Sequence, residues 1–113
     1  MPLITTKTNT QITKEKEEVL KSKLGKAISA LGKTESWLML EFQDDCRLWF
    51  KGSNNEKLAM VEVSLFGKAS DSAYDKMTAE VTDVISQELG ISPSNIYVKY
   101  EEVGTWGWNG NNF

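Results

Sequence analysis

The sequence has no histidine and a single cysteine, Cys46. Histidine is the commonest general base near neutral pH and the commonest metal ligand, and an intrachain disulfide needs two cysteines. The composition therefore excludes histidine-dependent catalysis, a thiolate metal cage and an intrachain disulfide. We interpret Cys46 as a structural thiol, because the sequence indicates no base that would activate it as a nucleophile. Neither a metal nor a cofactor is predicted.

Basic residues do not outnumber acidic ones, and long apolar runs are absent. The chain has 13 Lys and Arg against 16 Asp and Glu, a net charge of −3, with no basic stripe that could neutralise several phosphates. No stretch approaches the roughly 18 apolar residues of a membrane span, and no signal peptide is evident. We expect a cytoplasmic protein that binds neither nucleic acid nor membrane. Activity outside the cell would require secretion without a signal peptide.

Hydrophobic spacing predicts several strands and two helices in one domain, residues 1–113. Runs rich in β-branched and aromatic residues predict strands at 3–8, 37–42, 48–50, 58–66 and 96–100. Helical periodicity predicts a helix over 13–31 that Gly32 closes, and a second helix that Ser70 or Asp71 caps and Gly90 ends. The predicted inner faces are Val19, Leu20, Leu24, Ala27, Ile28 and Leu31 in the first helix, and Tyr74, Met77, Val81, Val84, Ile85 and Leu89 in the second.

The two halves of the chain repeat each other. Residues 31–40 align without a gap on residues 89–98, and the same offset superimposes the preceding strands and helices. We therefore predict an α/β (α+β) fold built from a duplicated β-α-β unit, with pseudo-repeats at about 2–57 and 58–113. Right-handed crossovers would place both helices on one face of a four-stranded mixed sheet. The other face would then be buried by further copies of the chain, which predicts a closed oligomer.

Pro2 directly follows the initiator methionine. That methionine is normally removed before a small second residue, and its removal would leave a secondary amine at Pro2. A terminal amine has an unperturbed pKa of about 7.7–8.0, which desolvation or a neighbouring cation lowers. Such an amine is a neutral base near pH 7. Because Met-Pro opens many unrelated proteins, it indicates a function only together with other motifs.

Further motifs accompany this start. The set consists of MPLITTKTN at 1–9, Leu-Gly-Lys at 31–33, Phe-Lys-Gly-Ser at 50–53, Phe-Gly-Lys at 66–68, Gly-Ile-Ser-Pro at 90–93 before Ile-Tyr-Val at 96–98, and Gly-Trp-Asn-Gly-Asn-Asn-Phe at 107–113. In this order and at these distances they resemble the macrophage migration inhibitory factor (tautomerase) superfamily over essentially the whole chain. The resemblance implies the tautomerase fold and a homotrimer, with sheets around a central channel and active sites at subunit boundaries.

The resemblance also implies roles for particular residues. Pro2 would be the catalytic base, and Lys33 would be the positively charged residue of the pocket. The aromatic pocket residues would be Phe66, Trp106, Trp108 and Phe113, with Trp37 near the mouth and Tyr97 contributed by the neighbouring subunit. A keto–enol tautomerisation requires a base, a cation or donor for the developing enolate oxygen, and an apolar cavity that strengthens both. This set supplies all three.

Simpler interpretations of the same residues stay open. Lys33 could be a lysine that interacts favourably with the dipole at a helix C-terminus. Trp37 and Tyr97 could be strand residues of a half-buried sheet, and Trp106 and Trp108 could be packing aromatics.

The chain departs from vertebrate members of the superfamily at three places. Leu58 and Val61 stand where those members carry a Cys-x-x-Cys pair, so thiol oxidoreductase activity is not expected. Trp106 replaces a small aliphatic residue and would narrow the pocket. Lys99 replaces an asparagine near Tyr97 and would add a second cation for an acidic substrate.

Two functions of different classes fit the resemblance. The first is an isomerase that tautomerises phenylpyruvate-like aromatic α-keto acids, or a related dopachrome tautomerase-like activity. The second is a cytokine-like binding protein that acts on a host cell-surface receptor, with catalysis secondary. The sequence does not choose between them. Turnover of a small keto or enol substrate by a chain proved to lack Met1 would favour the enzyme.

Overall fold

A mixed four-stranded sheet forms the centre of the computed structural model, which describes residues 1–113. Its strands lie in the order β2-β1-β3-β4. They are β1 (Pro2–Thr8), β2 (Met39–Gln43), β3 (Ala59–Phe66) and β4 (Ile96–Val103). The helices are α1 (Lys14–Ala27) and α2 (Asp71–Leu89). A separate two-stranded hairpin near the C-terminus consists of β5 (Gly107–Trp108) and β6 (Asn111–Asn112).

The sheet has the topology expected for two β-α-β units. β1 pairs in parallel with β2, and β3 pairs in parallel with β4. The two units meet where β1 and β3 pair antiparallel, with Pro2 opposite Leu65 and Thr8 opposite Ala59. The predicted four-stranded mixed sheet with two helices is therefore confirmed.

The core lies between the helices and one face of the sheet. Alternating residues of the central strands point into it, and the helices contribute residues at helical spacing. The largest fully buried side chains include Ile4, Val61, Val63 and Leu65 from the strands and Leu20, Leu24, Met77, Val81 and Ile85 from the helices. This single core holds both helices on the same face.

Both helices begin at capped positions. The Thr13 hydroxyl accepts from the amide of Lys16 at 3.1 Å, and the Ser70 hydroxyl accepts from the amide of Ala73 at 3.2 Å. These bonds satisfy amides that lack a partner in the first turn. Ser70, rather than Asp71, is thus the cap of α2.

Several predicted boundaries are wrong. α1 ends at Ala27, and the predicted last turn is a 3-10 helix, Ile28–Leu31, because the chain tightens before the left-handed residue Gly32 (φ 73°). Val19 lies at the edge of the inner face of α1 and is 38% exposed. In α2, Tyr74 and Val84 are half-buried and pack at the margin of the core.

Further differences concern the strands. Trp37 lies in a 3-10 helix, Glu35–Trp37, so that β2 begins only at Met39. Residues 48–50 form no strand, because no other strand of the chain lies beside them, and only Phe50 bridges to Ser53. β3 begins one residue later than predicted, and β4 continues three residues further, to Val103. The hairpin was not predicted, because strands of two residues carry no periodic pattern.

No helix covers the second face of the sheet, here called the open face. Its centre is polar rather than apolar: Lys7 Nζ lies 2.8 Å from the Glu62 carboxylate, and the Thr5 hydroxyl donates to Glu41 at 3.1 Å. Exposed apolar side chains of the chain include Met39 and Tyr97 at the ends of the open face. The centre of the open face is therefore polar, and its burial by further copies of the chain stays a prediction.

No helix of the structure is long and apolar enough to span a membrane. No group of three or more His, Cys, Asp or Glu side chains is arranged to hold a metal ion.

Candidate active site at the start of the first strand

The beginning of β1 pairs with the end of β3, and Lys33 binds the same end of β3. Pro2 is buried on a central strand of the sheet and lies opposite Leu65. The amide of Phe66 donates to the carbonyl oxygen of Met1 at 3.0 Å. The ammonium group of Lys33 donates to the carbonyl oxygen of Phe66 at 3.2 Å. The backbone of Phe66 therefore hydrogen-bonds both to the start of the chain and to the cation of Lys33.

Local structure explains why Lys33 reaches this point. Gly32 adopts a left-handed conformation with φ 73°, which a glycine reaches without the steric cost that a side chain would add. The chain thus leaves the 3-10 helix at Gly32 and turns toward the sheet. Lys33 follows immediately, with its stem partly buried.

An amine at this end of β1 loses affinity for its proton. Burial, and to a smaller extent the positive charge of Lys33, lower the pKa of the terminal amine of Met1. Both effects disfavour the charged form of an amine. In the chain as described, Met1 precedes Pro2, so the nitrogen of Pro2 is an amide. A chain that began at Pro2 would place its amine one residue closer to Phe66.

Four aromatic side chains form a series beside this point. Phe66 lies 5.7 Å from Phe113 between ring centroids, Phe113 lies 6.4 Å from Trp108, and Trp108 meets Trp37 edge-to-face at 4.9 Å. We call these four residues the aromatic wall. Its outer members, Trp37, Trp108 and Phe113, are about half exposed. The aromatic wall therefore runs from the buried strand end to the surface, as a site open to a small molecule requires.

The hairpin and the residue after it carry Trp108 and Phe113 of the aromatic wall. Its turn is Asn109-Gly110, with φ values of 52° and 84°, and two positive φ values are typical of a two-residue hairpin turn. At its base, the amide of Phe113 donates to the carbonyl oxygen of Trp106 at 3.0 Å. Trp106 is half-buried, and its ring lies outside the aromatic series.

Tyr97 and Lys99 lie away from Pro2 in the same chain. Both are exposed on the open face of β4, and β4 pairs with β3 so that Tyr97 lies beside Met60, near the far end of the sheet. The Tyr97 ring contacts Phe50 at 4.9 Å between centroids. Lys99 Nζ lies 4.0 Å from the Glu62 carboxylate.

Tyr97 also belongs to an apolar cavity at that end of the sheet. The cavity has a volume of about 140 Å³ and is lined by Leu48, Trp49, Phe50, Leu58, Ala59, Met60, Asn95 and Tyr97. It contains no cation and no exposed carboxylate among these residues. Tyr97 thus lies at the end of the sheet opposite Pro2, and Lys99 lies near the middle of the sheet beside Glu62. Neither joins Lys33 and the aromatic residues at the start of β1 within one chain.

One further pair lies beside the segment that carries Trp37, and sequence reasoning did not single it out. A Cβ atom at Gly25, in α1, would overlap the carboxylate of Glu35. Glu35 begins the 3-10 helix that carries Trp37. A glycine inside a helix is unfavourable and often marks close packing, so Gly25 was the available signal.

Comparisons with known proteins agree over the whole chain. A family model for macrophage migration inhibitory factor (MIF) matches residues 1–113. The macrophage migration inhibitory factor of Meriones unguiculatus is 25% identical over 117 residues, covering 100% of this chain and 99% of its own. The structure of Leishmania major MIF2 has a TM-score of 0.93 and 32% identity, covering 100% of this chain and 97% of that one. A homologue from Prochlorococcus marinus has a TM-score of 0.88 and 31% identity, with 98% of each chain covered.

Proposed function

This chain belongs to the macrophage migration inhibitory factor family, and we propose on that basis that it is a keto–enol tautomerase of phenylpyruvate-like aromatic α-keto acids. The base is the secondary amine of Pro2 after removal of Met1. The observation that carries the proposal is the convergence of the buried start of β1, the ammonium group of Lys33 and the aromatic wall on the end of β3 at Phe66.

The chemistry follows from the environment of that amine. A tautomerase moves one proton from carbon to oxygen, or back, and needs a base that is neutral near working pH. Burial and the Lys33 charge both lower the pKa of an amine at the start of β1. The neutral Pro2 nitrogen accepts the proton from the substrate carbon, and the protonated amine returns a proton in the next step.

Lys33 has a second role in this proposal. Negative charge develops on the substrate oxygen as the carbon loses its proton, and a cation aimed at that oxygen lowers the barrier. Lys33 Nζ, 3.2 Å from the Phe66 carbonyl, lies close enough to the strand start to bind this oxygen or the substrate carboxylate. The aromatic wall contacts the substrate ring and excludes water, which strengthens both interactions.

Tyr97 and Lys99 enter the site in a homotrimer. Tyr97 is 61% exposed at the end of the sheet that Pro2 does not occupy, which leaves it free to contact a second copy. In a closed ring each subunit supplies Pro2, Lys33 and the aromatic wall to one site and Tyr97 and Lys99 to the next. Lys99 then adds a second positive charge for an acidic substrate.

The proposal is tested on protein whose N-terminus is defined by mass spectrometry. Protein that begins at Pro2 should tautomerise phenylpyruvate, and protein that retains Met1 should not, because an amide nitrogen has no basic lone pair. Pro2→Gly keeps a terminal amine but makes it primary and flexible, and should lower kcat/KM by roughly 10²-fold or more. Full activity in protein proved to retain Met1 would exclude Pro2 as the base.

A cytokine-like binding role is the second candidate, and one observation favours it. Trp37, Trp108 and Phe113 expose about half of their surfaces, and contiguous exposed aromatics are typical of surfaces that bind another protein. Verified Pro2-terminated protein with no turnover of any aromatic keto acid, but with unchanged assembly, would favour binding to a host cell-surface receptor over catalysis.

A further inference from the structure

The hairpin that carries Trp108 has little support of its own. It forms a two-stranded sheet separate from the four-stranded one, and only residues 104–106 connect it to Val103 at the end of β4. Trp108 of the hairpin contacts Trp37, and Phe113, which follows the hairpin, contacts Phe66. Its position therefore depends on how firmly the end of β4 is held.

The end of β4 pairs with β3, where Val103 lies opposite Phe66, and a short hydrogen bond also joins it to α2. The Tyr74 hydroxyl, in the first turn of α2, donates to the carboxylate of Glu102 at 2.6 Å. A length of this kind is typical of a hydroxyl donating to an ionised carboxylate, which is stronger than a bond between neutral groups. Glu102 lies on the helix-bearing side of β4, one residue before the strand ends.

The same hydroxyl also ties down the loop that leaves β3. The amide of Ala69 donates to the Tyr74 oxygen at 3.1 Å, and the amide of Gly67 donates to the carbonyl oxygen of Val103 at 3.0 Å. The Tyr74 side chain therefore joins the loop after Phe66 to the strand before the hairpin. Phe66 is the inner member of the aromatic wall, and the hairpin positions two of its outer members, Trp108 and Phe113.

Tyr74 is itself fixed in place. Its ring packs against Tyr100 with 4.6 Å between centroids. The Tyr100 hydroxyl donates to the Tyr74 carbonyl oxygen at 3.1 Å and lies 2.7 Å from the Thr78 hydroxyl. Burial, and then the bond to Glu102, raise the pKa of Tyr74, so its hydroxyl stays protonated and remains a donor at neutral pH.

We propose that Tyr74 and Glu102 are a positioning pair: their hydrogen bond sets the angle at which the hairpin leaves β4 and so holds Trp108 and Phe113 over the candidate active site. The pair does not touch substrate. This inference rests on the proposed function for its kinetic readout, but its structural readout is independent of turnover.

The test compares Tyr74→Phe and Glu102→Ala with Glu102→Gln in the full chain. The first two remove the bond and should raise KM for phenylpyruvate about three- to ten-fold while kcat stays within about two-fold, because substrate binding is loosened but the base is intact. Glu102→Gln keeps an acceptor oxygen but loses the charge that strengthens the bond, so its KM should lie between those of wild type and Glu102→Ala. Hydrogen exchange of the amides of 104–113 should be fastest in the first two variants and less raised in Glu102→Gln.

Glu101→Ala is the matched control, because it removes the same charge from the opposite face of the same strand. It should leave KM and the exchange of the hairpin unchanged. Tyr74→Phe with wild-type exchange in 104–113 would overturn the positioning role. So would exchange that rises equally in the helices and in the hairpin, since that pattern means a general loss of stability. If the chain turns over no keto acid, the proposed function fails, and hydrogen exchange alone decides this inference.

Discussion

Lys33 extends across the end of the sheet and donates to the backbone carbonyl oxygen of Phe66 at 3.2 Å. This contact puts a positive charge beside the start of β1, where it lowers the pKa of the terminal amine, although burial is the larger cause. A catalytic amine is active in its neutral form. For the proposed Pro2 base, a pKa lowered in the same way extends activity toward lower pH.

Lys33→Ala should move the rising limb of the pH–activity profile to higher pH. Removing the cation removes a penalty on the protonated amine, so the pKa of the amine rises toward its ordinary value. The shift is partial, because burial remains. KM for an acidic substrate should increase at the same time. The measurement is kcat/KM against pH, with Lys26→Ala as a control that removes an exposed lysine from the last turn of α1. An unchanged profile and KM would make Lys33 only a surface charge.

The order of the six main elements was predictable from sequence, because each helix and long strand carries its own hydrophobic period. Residues such as Leu20 and Leu24 in α1, or Val61 and Val63 in β3, mark their buried faces by spacing alone. The sheet with two helices on one face follows from the repeat and from the handedness of crossovers.

The details of the structure around the candidate site could not be predicted from the sequence. The 3-10 helix at Trp37 and the two-residue strands of the hairpin are too short for a period. The bond between Tyr74 and Glu102 joins residues far apart in sequence, and β4 was predicted to end before Glu102. Tertiary packing decides which aromatic residues form the aromatic wall, and it also places Tyr97 at the other end of the sheet. No local sequence pattern encodes that packing.

Gly25→Ala should stabilise the protein by about 0.5–1 kcal/mol. Alanine is a better helix former than glycine, and the group that the new methyl displaces is the end of the flexible Glu35 side chain. Glu35 is an exposed residue, so its side chain can turn away from Gly25 into solvent. Urea denaturation measures the change, with Gly25→Ala/Glu35→Ala as a control in which no overlap arises. A loss of stability in the single variant, rescued in the double variant, would show that Glu35 is held rigidly.

The ion pair on the open face gives a pH dependence of stability. Lys7 donates to Glu62 and lowers the pKa of that carboxyl. A lowered pKa in the folded state means that the carboxylate stabilises the fold above the unfolded value, and that this contribution disappears as pH falls through the folded pKa. Wild type should therefore exceed Glu62→Gln in stability at neutral pH.

The difference between wild type and Glu62→Gln should shrink as pH falls below the ordinary glutamate range, because the pKa of Glu62 is lowered in the folded state. Urea denaturation at a series of pH values from neutral to about 2 extends below the ordinary glutamate pKa of about 4.3. Glu101→Gln serves as a control, because it changes the next carboxylate on the same face and leaves the Lys7 pair intact. If the stability difference between wild type and Glu62→Gln stays constant with pH, it arises from packing and not from the charge of Glu62.

An active site shared between subunits can be tested directly, because each of two neighbouring subunits supplies a different residue to it. In the proposed trimer, Pro2 of one subunit works with Tyr97 of the next. Pro2→Gly and Tyr97→Leu proteins should each be impaired alone, while trimers reassembled from an equal mixture should regain activity. Random mixing pairs an intact Pro2 with an intact neighbouring Tyr97 in about a quarter of the sites. Activity should approach that fraction of wild type after corrections for each parent protein.

Sedimentation of each protein and of the mixture must accompany the kinetics, because Tyr97 packs against Phe50 and its loss could weaken assembly. Tyr97→Phe, which keeps that ring contact, is the second variant to mix if Tyr97→Leu dissociates. A mixture that forms trimers but regains no activity would mean that Tyr97 plays no part in a site between copies. A wild-type chain that sediments as a 12.7 kDa monomer at micromolar concentration would contradict the trimer itself, and with it any contribution of Tyr97 or Lys99 to catalysis at Pro2.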